Sequence, residues 1–271
     1  MGSPATRRKC LDLQKKRIMK YFFLAFLFLF LQNCDTSKST PQQDISKNEI
    51  SVPLPSPKVI PDRYNVAFLI MDGVYNTELT APWDIFQHTI FRENIKPMNV
   101  FLVADTHEPV LTFEGIRLLP DYNYLKDEMP KFDILVVPSA EHHLDSDLEN
   151  KALIDFVKRV GEEAQFVTSH CDGAFVLAKA GLLDEVASTT FPSDIPKYKK
   201  MFPQLKVYDK IDGEKVLFVH DGKFITSAGG AKSFEAALYL CEHLYGKEIA
   251  KSLAGGLVID WDLETVTHVI E

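Results

Sequence analysis

Short apolar runs recur along the chain beyond residue 62. They contain Val, Ile, Leu and Phe without regular polar alternation, a pattern typical of strands that helices cover on both faces. We predict strands at residues 65–71, 99–104, 133–137 and 165–169. Two further segments, residues 110–119 and residues 216–227 with a turn at Asp221-Gly222, are predicted hairpins.

Longer amphipathic segments separate these runs. In residues 147–161, Leu148, Ala152, Phe156 and Val160 recur at every fourth position and form one apolar helix face. We predict helices at residues 81–89, 147–161, 173–180, 232–245 and 247–254. Alternation of strands and helices predicts one α/β domain with a mostly parallel sheet, from residue 62 to the C-terminus.

The N-terminus carries a different pattern. Residues 15–20 are rich in basic side chains, and residues 21–31 are an apolar run too short for the roughly 20 residues that span a bilayer. Leu31-Gln32-Asn33-Cys34 then resembles a bacterial lipobox. We therefore predict a lipoprotein signal peptide at residues 1–33, lipidation of Cys34 and an exported, membrane-anchored protein on the periplasmic or cell-surface side. An ordinary cleaved signal and an uncleaved anchor are the alternatives.

Residues 34–61 are polar and contain several prolines, so they bury too little apolar surface to fold, and we predict a flexible tether. Hydrophobic residues make up 46% and charged residues 25% of the chain, which is ordinary globular usage. Residues 1–33 carry a surplus of six positive charges, so the total of −8 leaves −14 on residues 34–271. So large a negative charge on residues 34–271 argues against binding to nucleic acid and favours a small-molecule partner.

Three cysteines remain after the signal, an odd number that argues against a disulfide framework. With Cys34 lipidated, only a Cys171–Cys241 pair is possible. Cys241 lies in an apolar helical segment, where a buried small side chain is the simplest interpretation.

Cys171 follows a predicted strand directly and precedes a predicted helix, with Gly173 two positions later. This arrangement is typical of a nucleophile elbow. Free N–H groups at a helix N-terminus stabilise a thiolate and lower its pKa, which favours a reactive Cys171. A buried structural thiol is the alternative.

Segments that together cover most of residues 62–254 resemble the ThiJ/PfpI family of the class I glutamine-amidotransferase-like superfamily: NVAFLIMDGVYNTELTAPWDIF, KFDILVVPSAEHH, FVTSHCDGAFVLAKAGLLDEVASTTFP and FITSAGGAKSFEAALYLCEHLYGKEIA. The resemblance implies a flavodoxin-like three-layer sandwich that is often a homodimer. It also implies a nucleophile at Cys171 and a neighbouring acid at Glu78. A helix N-terminal acid is the alternative role of Glu78.

The resemblance places oxyanion donors in the backbone of Asp172 and of the Ser139-Ala140 loop, with Ala140 the expected second donor. This chain departs from the family pattern at three places. Ser139-Ala140 replaces a common Gly-Gly pair, Phe191 stands where several members have a histidine, and Asp172 stands where a threonine or histidine is usual.

Three histidines are auxiliary candidates. His142 or His143 could act as a base from the loop over the pocket, whereas strand alternation predicts that His170 points away from Cys171. The spacing of these histidines with Cys171 and Glu78 matches no standard zinc pattern, and Gly229-Gly230 lacks the rest of a nucleotide-binding fingerprint. We therefore expect no metal and no cofactor.

The segments around Glu78 and Cys171 are most similar to isonitrile hydratases and to the amidase-like domains of AraC-type regulators. They predict a cysteine-dependent hydratase or amidase-like hydrolase acting on a small electrophile. A deglycase or glyoxalase-like activity is one alternative. A non-catalytic ligand-binding or redox-sensing domain is the other.

Overall fold

The structure is a computed structural model that describes residues 57–271. The predicted signal peptide, Cys34 and the tether as far as residue 56 lie outside the described residues. Fourteen strands are present in the described part of the chain: β1 Tyr64–Leu69, β2 Met98–Ala104, β3 Val110–Leu111, β4 Arg117–Leu118, β5 Tyr122–Asn123, β6 Ile134–Val137, β7 Phe166–His170, β8 Ala187–Ser188, β9 Lys206–Val207, β10 Lys210–Ile211, β11 Glu214–Lys215, β12 Phe218–Asp221, β13 Phe224–Ser227 and β14 His268–Ile270.

Eight of these strands form one central sheet in the order β14-β12-β13-β7-β6-β1-β2-β5. All neighbouring pairs are parallel except the β12–β13 hairpin. Six α-helices accompany the sheet: α1 Asn76–Gln87, α2 Lys151–Glu163, α3 Gly173–Lys179, α4 Ile195–Met201, α5 Ser233–Tyr245 and α6 Lys247–Gly256. Single turns of 3-10 helix lie at His88–Phe91, Ser146–Glu149, Gly230–Lys232 and Leu263–Thr265.

The sheet separates two apolar cores. Leu69 and Val137 contribute to the core under α2 and α3, whereas Phe68 and Val136 contribute to the core under α1, α5 and α6. Because successive strand residues enter opposite cores, both must be apolar, which explains the runs without alternation. The predicted α/β sandwich with a mostly parallel sheet is confirmed.

The first helix differs most from its prediction. It begins at Asn76, five residues before the predicted start at residue 81. Apolar periodicity does not reveal this first turn because one of its two buried residues is Glu78, a carboxylic acid. The second hairpin also differs, since Asp221 pairs with Phe224 and the turn is Gly222-Lys223.

Several elements carried too little apolar signal to be predicted. The helix α4 and the strands β5, β8–β11 and β14 are short, and pairs such as β10–β11 are wholly exposed. Cys241 lies fully buried in α5, as predicted, and both it and Cys171 are free thiols. Within residues 57–271, no helix combines the length and apolar character that crossing a membrane requires.

The carboxyl ends of four neighbouring strands, β13, β7, β6 and β1, meet along one edge of the sheet. Chain segments leaving these ends carry Gly229, Cys171, Ser139 and Glu78, respectively. In open α/β sheets this edge is where ligands bind.

The start of α3 depends on the absence of a side chain at Gly173. A Cβ there would lie 2.1 Å from the carbonyl oxygen of Val137, whereas a Cβ on the helical Gly255 would meet nothing within 4 Å. We predict that Gly173→Ala lowers the free energy of unfolding by about 2 kcal/mol or more, through overpacking. Its control, Gly255→Ala, should be neutral or stabilise by up to about 1 kcal/mol. Urea denaturation measures both, and equal stability of the two variants would contradict the packing argument.

Candidate active site

Cys171 occupies a strained turn between β7 and α3. Its φ of +52° is in the left-handed region, which is unfavourable for a residue with a side chain. The turn is held from both sides, because the Cys171 amide donates to Ser227 O at 3.0 Å and Thr190 Oγ1 donates to Cys171 O at 2.9 Å. The side chain is largely buried, with 8% of the residue exposed.

Gly229 makes room for this turn. A Cβ on Gly229 would lie 2.3 Å from Cys171 Cβ and 2.6 Å from the Cys171 amide nitrogen. The absence of a side chain at Gly229 thus allows two chain segments to pack closely. The chain after β13 therefore touches the backbone of the candidate nucleophile.

Glu78 reaches the same place from the first turn of α1. Glu78 is 5% exposed; its Oε2 accepts a hydrogen bond from the Ser139 amide at 3.2 Å, and its Oε1 accepts one from the Gly230 amide at 2.9 Å. Burial raises the pKa of Glu78, although the amides of Gly230 and Ser139 and the neighbouring Cys171 thiol offset part of that rise.

A second carboxyl contacts the thiol from the following residue. Asp172 is 8% exposed, its Oδ1 accepts a hydrogen bond from Thr190 Oγ1 at 3.2 Å, and the neighbouring Cys171 thiol helps to hold its pKa down. Burial and then the charge of Asp194 raise the pKa of Asp172 to about 7, with a smaller contribution from Glu78.

These surroundings determine the protonation of the thiol. Burial, then the carboxylates of Glu78 and Asp172, raise the pKa of Cys171 above its ordinary value, while the Asp172 amide and the Ser139 hydroxyl oppose the rise. The lowering of the thiol pKa expected from the helix N-terminus is therefore wrong in direction, whereas the neighbouring Asp172 carboxylate acts in the observed direction. The N-terminus of the seven-residue helix α3 is outweighed by burial beside two acids.

The backbone amides expected to form an oxyanion hole are partly occupied. The Ser139 amide donates to Glu78, and the Ala140 amide donates to His143 Nδ1 at 3.2 Å. The Asp172 amide faces the sulfur and helps to lower the pKa of Cys171. Of the expected donors, Asp172 is directed at the reacting atom and Ala140 already has a partner within the protein.

The three candidate histidines have other partners. His143 is fully buried, with Nε2 at 3.2 Å from Met71 Sδ, and burial lowers its pKa to about 3. His170 bonds Ser227 Oγ through Nδ1 at 3.0 Å, and burial lowers its pKa to about 3 as well. His142 is exposed and pairs with Asp145 at 3.1 Å. None of the three is among the side chains that contact the thiol within the described residues.

Sequence reasoning missed two contributors to the site. Thr190 precedes Phe191, but its hydroxyl contacts to Cys171 and Asp172 arise only from the fold. Asp194 gave no signal, because a polar residue before a short helix resembles any surface turn. No group of three or more His, Cys, Asp or Glu side chains in residues 57–271 is arranged to hold a metal ion.

Comparison with known proteins fits this geometry. The model of the DJ-1/PfpI family matches residues 64–243. The chain belongs to the DJ-1/PfpI family. This confirms the membership predicted from the sequence, since the family also goes by the name ThiJ/PfpI.

Two relatives are similar to this chain over about three quarters of their own length. Isonitrile hydratase from Pseudomonas putida is 28% identical over 189 residues, which cover 69% of this chain and 74% of that protein. Protein dj-1beta from Drosophila melanogaster is 30% identical over 156 residues, covering 57% and 79%, respectively.

Two solved structures show the same fold. The crystal structure of Drosophila melanogaster DJ-1beta aligns with a TM-score of 0.60 at 24% identity, over 73% of this chain and all of that one. An AraC family transcriptional regulator from Pseudomonas putida aligns with a TM-score of 0.59 at 19% identity, over 72% and 99%.

In this member of the DJ-1/PfpI family, the candidate site is strongly acidic. The pKa of the Tyr75 hydroxyl is raised by burial and then by Cys171, Glu141, Glu78 and Asp172. Within the described residues, no lysine or arginine forms an ion pair with Glu78, Asp172, Asp194 or Glu141. Such a site disfavours anionic substrates.

The excess of negative charge can be tested with two reagents of similar size. We predict that iodoacetate alkylates Cys171 at least about 10-fold more slowly than iodoacetamide, after each rate is divided by its rate with glutathione, because like charges a few ångströms apart repel. Mass spectrometry of the proteolytic peptide that contains Cys171, from the Cys241→Ala protein, reports this cysteine alone. Asp172→Asn should reduce the discrimination. Equal normalised rates for the two reagents would exclude a negative field at the sulfur.

Asp172 also predicts how stability depends on pH. Its folded-state pKa of about 7 exceeds the ordinary value of about 3.9, so between these values the folded state binds more protons and stability falls as pH rises. Asp172→Asn should gain up to about 4 kcal/mol relative to wild type between about pH 4 and pH 8. Urea denaturation at both pH values measures this, with exposed Asp260→Asn as control. A difference that stays constant with pH would show that Asp172 is not perturbed.

Proposed function

We propose that the protein is a cysteine-dependent hydratase that adds water to an isonitrile or a similar small, neutral electrophile. The observation that carries the proposal is the position of the buried Glu78 carboxyl beside the Cys171 thiol, held there by the amides of Ser139 and Gly230. Both oxygens of that carboxyl are fixed by backbone amides, which hold it in one orientation beside the sulfur. A preoriented acid–base group next to a nucleophile is the arrangement that covalent catalysis requires.

The first step uses the proton that the thiol already holds. The sulfur of Cys171 forms a bond with the terminal carbon of the isonitrile R–N≡C. The thiol proton passes to the Glu78 carboxylate and from there to the same carbon, giving the thioimidate R–N=CH–S–Cys171. Because the raised pKa keeps the thiol protonated, nucleophile and proton enter the reaction together.

Water completes the reaction in the second step. It adds across the C=N bond of the thioimidate, with the hydroxyl on carbon and a proton on nitrogen. The carbon–sulfur bond then breaks, the carbonyl forms, and the hydroxyl proton returns to the sulfur. The product is the N-substituted formamide R–NH–CHO, so the net change is addition of one water molecule.

The occupied amides favour this chemistry over amide or aldehyde substrates. Attack on a carbonyl places negative charge on oxygen, and stabilising that charge requires free, preoriented donors. Here the Ser139 amide is held by Glu78 and the Ala140 amide by His143. Thiol addition to an isonitrile forms no oxyanion in its first step, and the similarity to isonitrile hydratase points to the same chemistry.

The same features count against the two alternative functions. Deglycase-like or glyoxalase-like chemistry needs an oxyanion site, and no histidine base contacts the thiol among the described residues. Fast peroxide sensing depends on an exposed thiolate, whereas Cys171 is buried and its pKa is raised. Catalysis on a neutral electrophile is consistent with the occupied amides, with a thiol that no histidine contacts among the described residues, and with the raised pKa of that thiol.

The test is turnover of simple alkyl and aryl isonitriles by the full chain, with the formamide detected by mass spectrometry. Wild type should release formamide, and Cys171→Ala should lower kcat/KM by at least about 10³-fold, because the nucleophile is lost. Glu78→Gln should lower it by about 10²-fold or more, because the amide cannot carry the proton. Cys241→Ala, the matched cysteine control, should retain activity. Wild-type rates in the Cys171→Ala protein would refute the proposal.

A further inference from the structure

Asp172 differs from Glu78 in one respect that matters for chemistry. Both Glu78 oxygens accept hydrogen bonds from backbone amides. In Asp172 only Oδ1 accepts a hydrogen bond, from the Thr190 hydroxyl. Within the described residues Asp172 Oδ2 has no hydrogen-bond partner. Of the two carboxyls beside the thiol, that of Asp172 is therefore the one with an oxygen free to exchange a proton with water or substrate.

Thr190 supports both protonation states of this carboxyl. A hydroxyl has one proton to donate and lone pairs that accept. Thr190 Oγ1 is within donating distance of both Cys171 O, at 2.9 Å, and Asp172 Oδ1, at 3.2 Å; when Asp172 is protonated, the hydroxyl can donate to Cys171 O and accept a hydrogen bond from the proton that Oδ1 then carries. When Asp172 is ionised, the hydroxyl can rotate and donate to Oδ1 instead. A partner that satisfies both states suits a group that gains and loses a proton in each turnover.

We infer that the side-chain carboxyl of Asp172 is a catalytic acid–base that carries protons in the second, hydrolytic step. This inference rests on the proposed function. The carboxylate takes a proton from water as the water oxygen bonds to the thioimidate carbon, and gives that proton to the imidate nitrogen. It next takes the proton of the new hydroxyl as the carbonyl forms and the carbon–sulfur bond breaks, and returns it to the departing sulfur of Cys171.

The charged and titratable groups around Asp172 agree with this role. They are Glu78 from α1, Asp194 before α4, the Cys171 thiol and the Tyr75 hydroxyl. Burial and these acids hold the pKa of Asp172 at about 7, where a general acid–base works efficiently at neutral pH. The position after the nucleophile, which departs from the family pattern, thus provides the proton carrier that Phe191 does not.

The test separates the two steps by intact-protein mass spectrometry of rapidly quenched isonitrile reactions. Asp172→Asn should form the thioimidate adduct but release formamide about 10²-fold more slowly or worse, so the adduct accumulates. Glu78→Gln should be slow to form the adduct at all. The matched control, Asp194→Asn, removes a nearby negative charge without removing a group that touches the thiol, and should not accumulate adduct.

Two results for Asp172→Asn would overturn the inference: formamide release at the wild-type rate, or equal slowing of adduct formation and release. If Asp172→Asn does not fold, Thr190→Val is tested in its place. Thr190→Val should shift the pH dependence of kcat, and Thr190→Ser should restore the wild-type dependence. An unchanged pH profile in Thr190→Val would overturn the inference. Wild type that forms neither adduct nor formamide would overturn the proposed function itself and this inference with it.

Discussion

The buried carboxyl of Glu78 joins the parts of the chain that make up the site. It accepts one hydrogen bond from the Ser139 amide, in the loop after β6, and another from the Gly230 amide, in the loop after β13. It also contacts Cys171 at the end of β7. Four chain segments that are distant in sequence thus meet at one side chain, which explains why an acid is buried in the first turn of α1. A buried carboxyl is costly unless its oxygens are satisfied, and here both are.

The second determinant of the site is the scarcity of positive charge. Two carboxyls contact the sulfur, and no lysine or arginine in residues 57–271 forms an ion pair with either. The Cys171 thiol and the carboxyls of Glu78 and Asp172 are too close together for all three to ionise at neutral pH, since each charge raises the pKa of its neighbours. Protons are therefore stored beside the sulfur. Addition of a thiol across a neutral multiple bond uses such stored protons, whereas chemistry on anionic substrates does not.

The sequence predicted the sheet and the nucleophile well because their signals are local. The run before Cys171 ends in a strand-to-helix junction, and the resemblance placed Glu78 beside it; the structure brings the two together. The raised pKa of the thiol was not predicted, because it depends chiefly on burial and on the carboxyl of Glu78, neither of which local sequence pattern reveals. The occupied Ala140 amide likewise depends on how deeply His143 is buried. Lipidation of Cys34 lies outside the described residues and stays a prediction.

The proposed chemistry depends most on whether the Cys171 sulfur or the carboxyls beside it carry the negative charge in the resting protein. Thiolate absorbs ultraviolet light and thiol does not, so the absorbance difference between wild type and Cys171→Ala, followed across pH, measures the charge on this sulfur directly. We expect no thiolate signal at neutral pH and its appearance only well above the ordinary cysteine pKa of about 8.5. A thiolate signal that persists below about pH 7 would show that the sulfur, not the carboxyls, holds the charge, and would contradict the account.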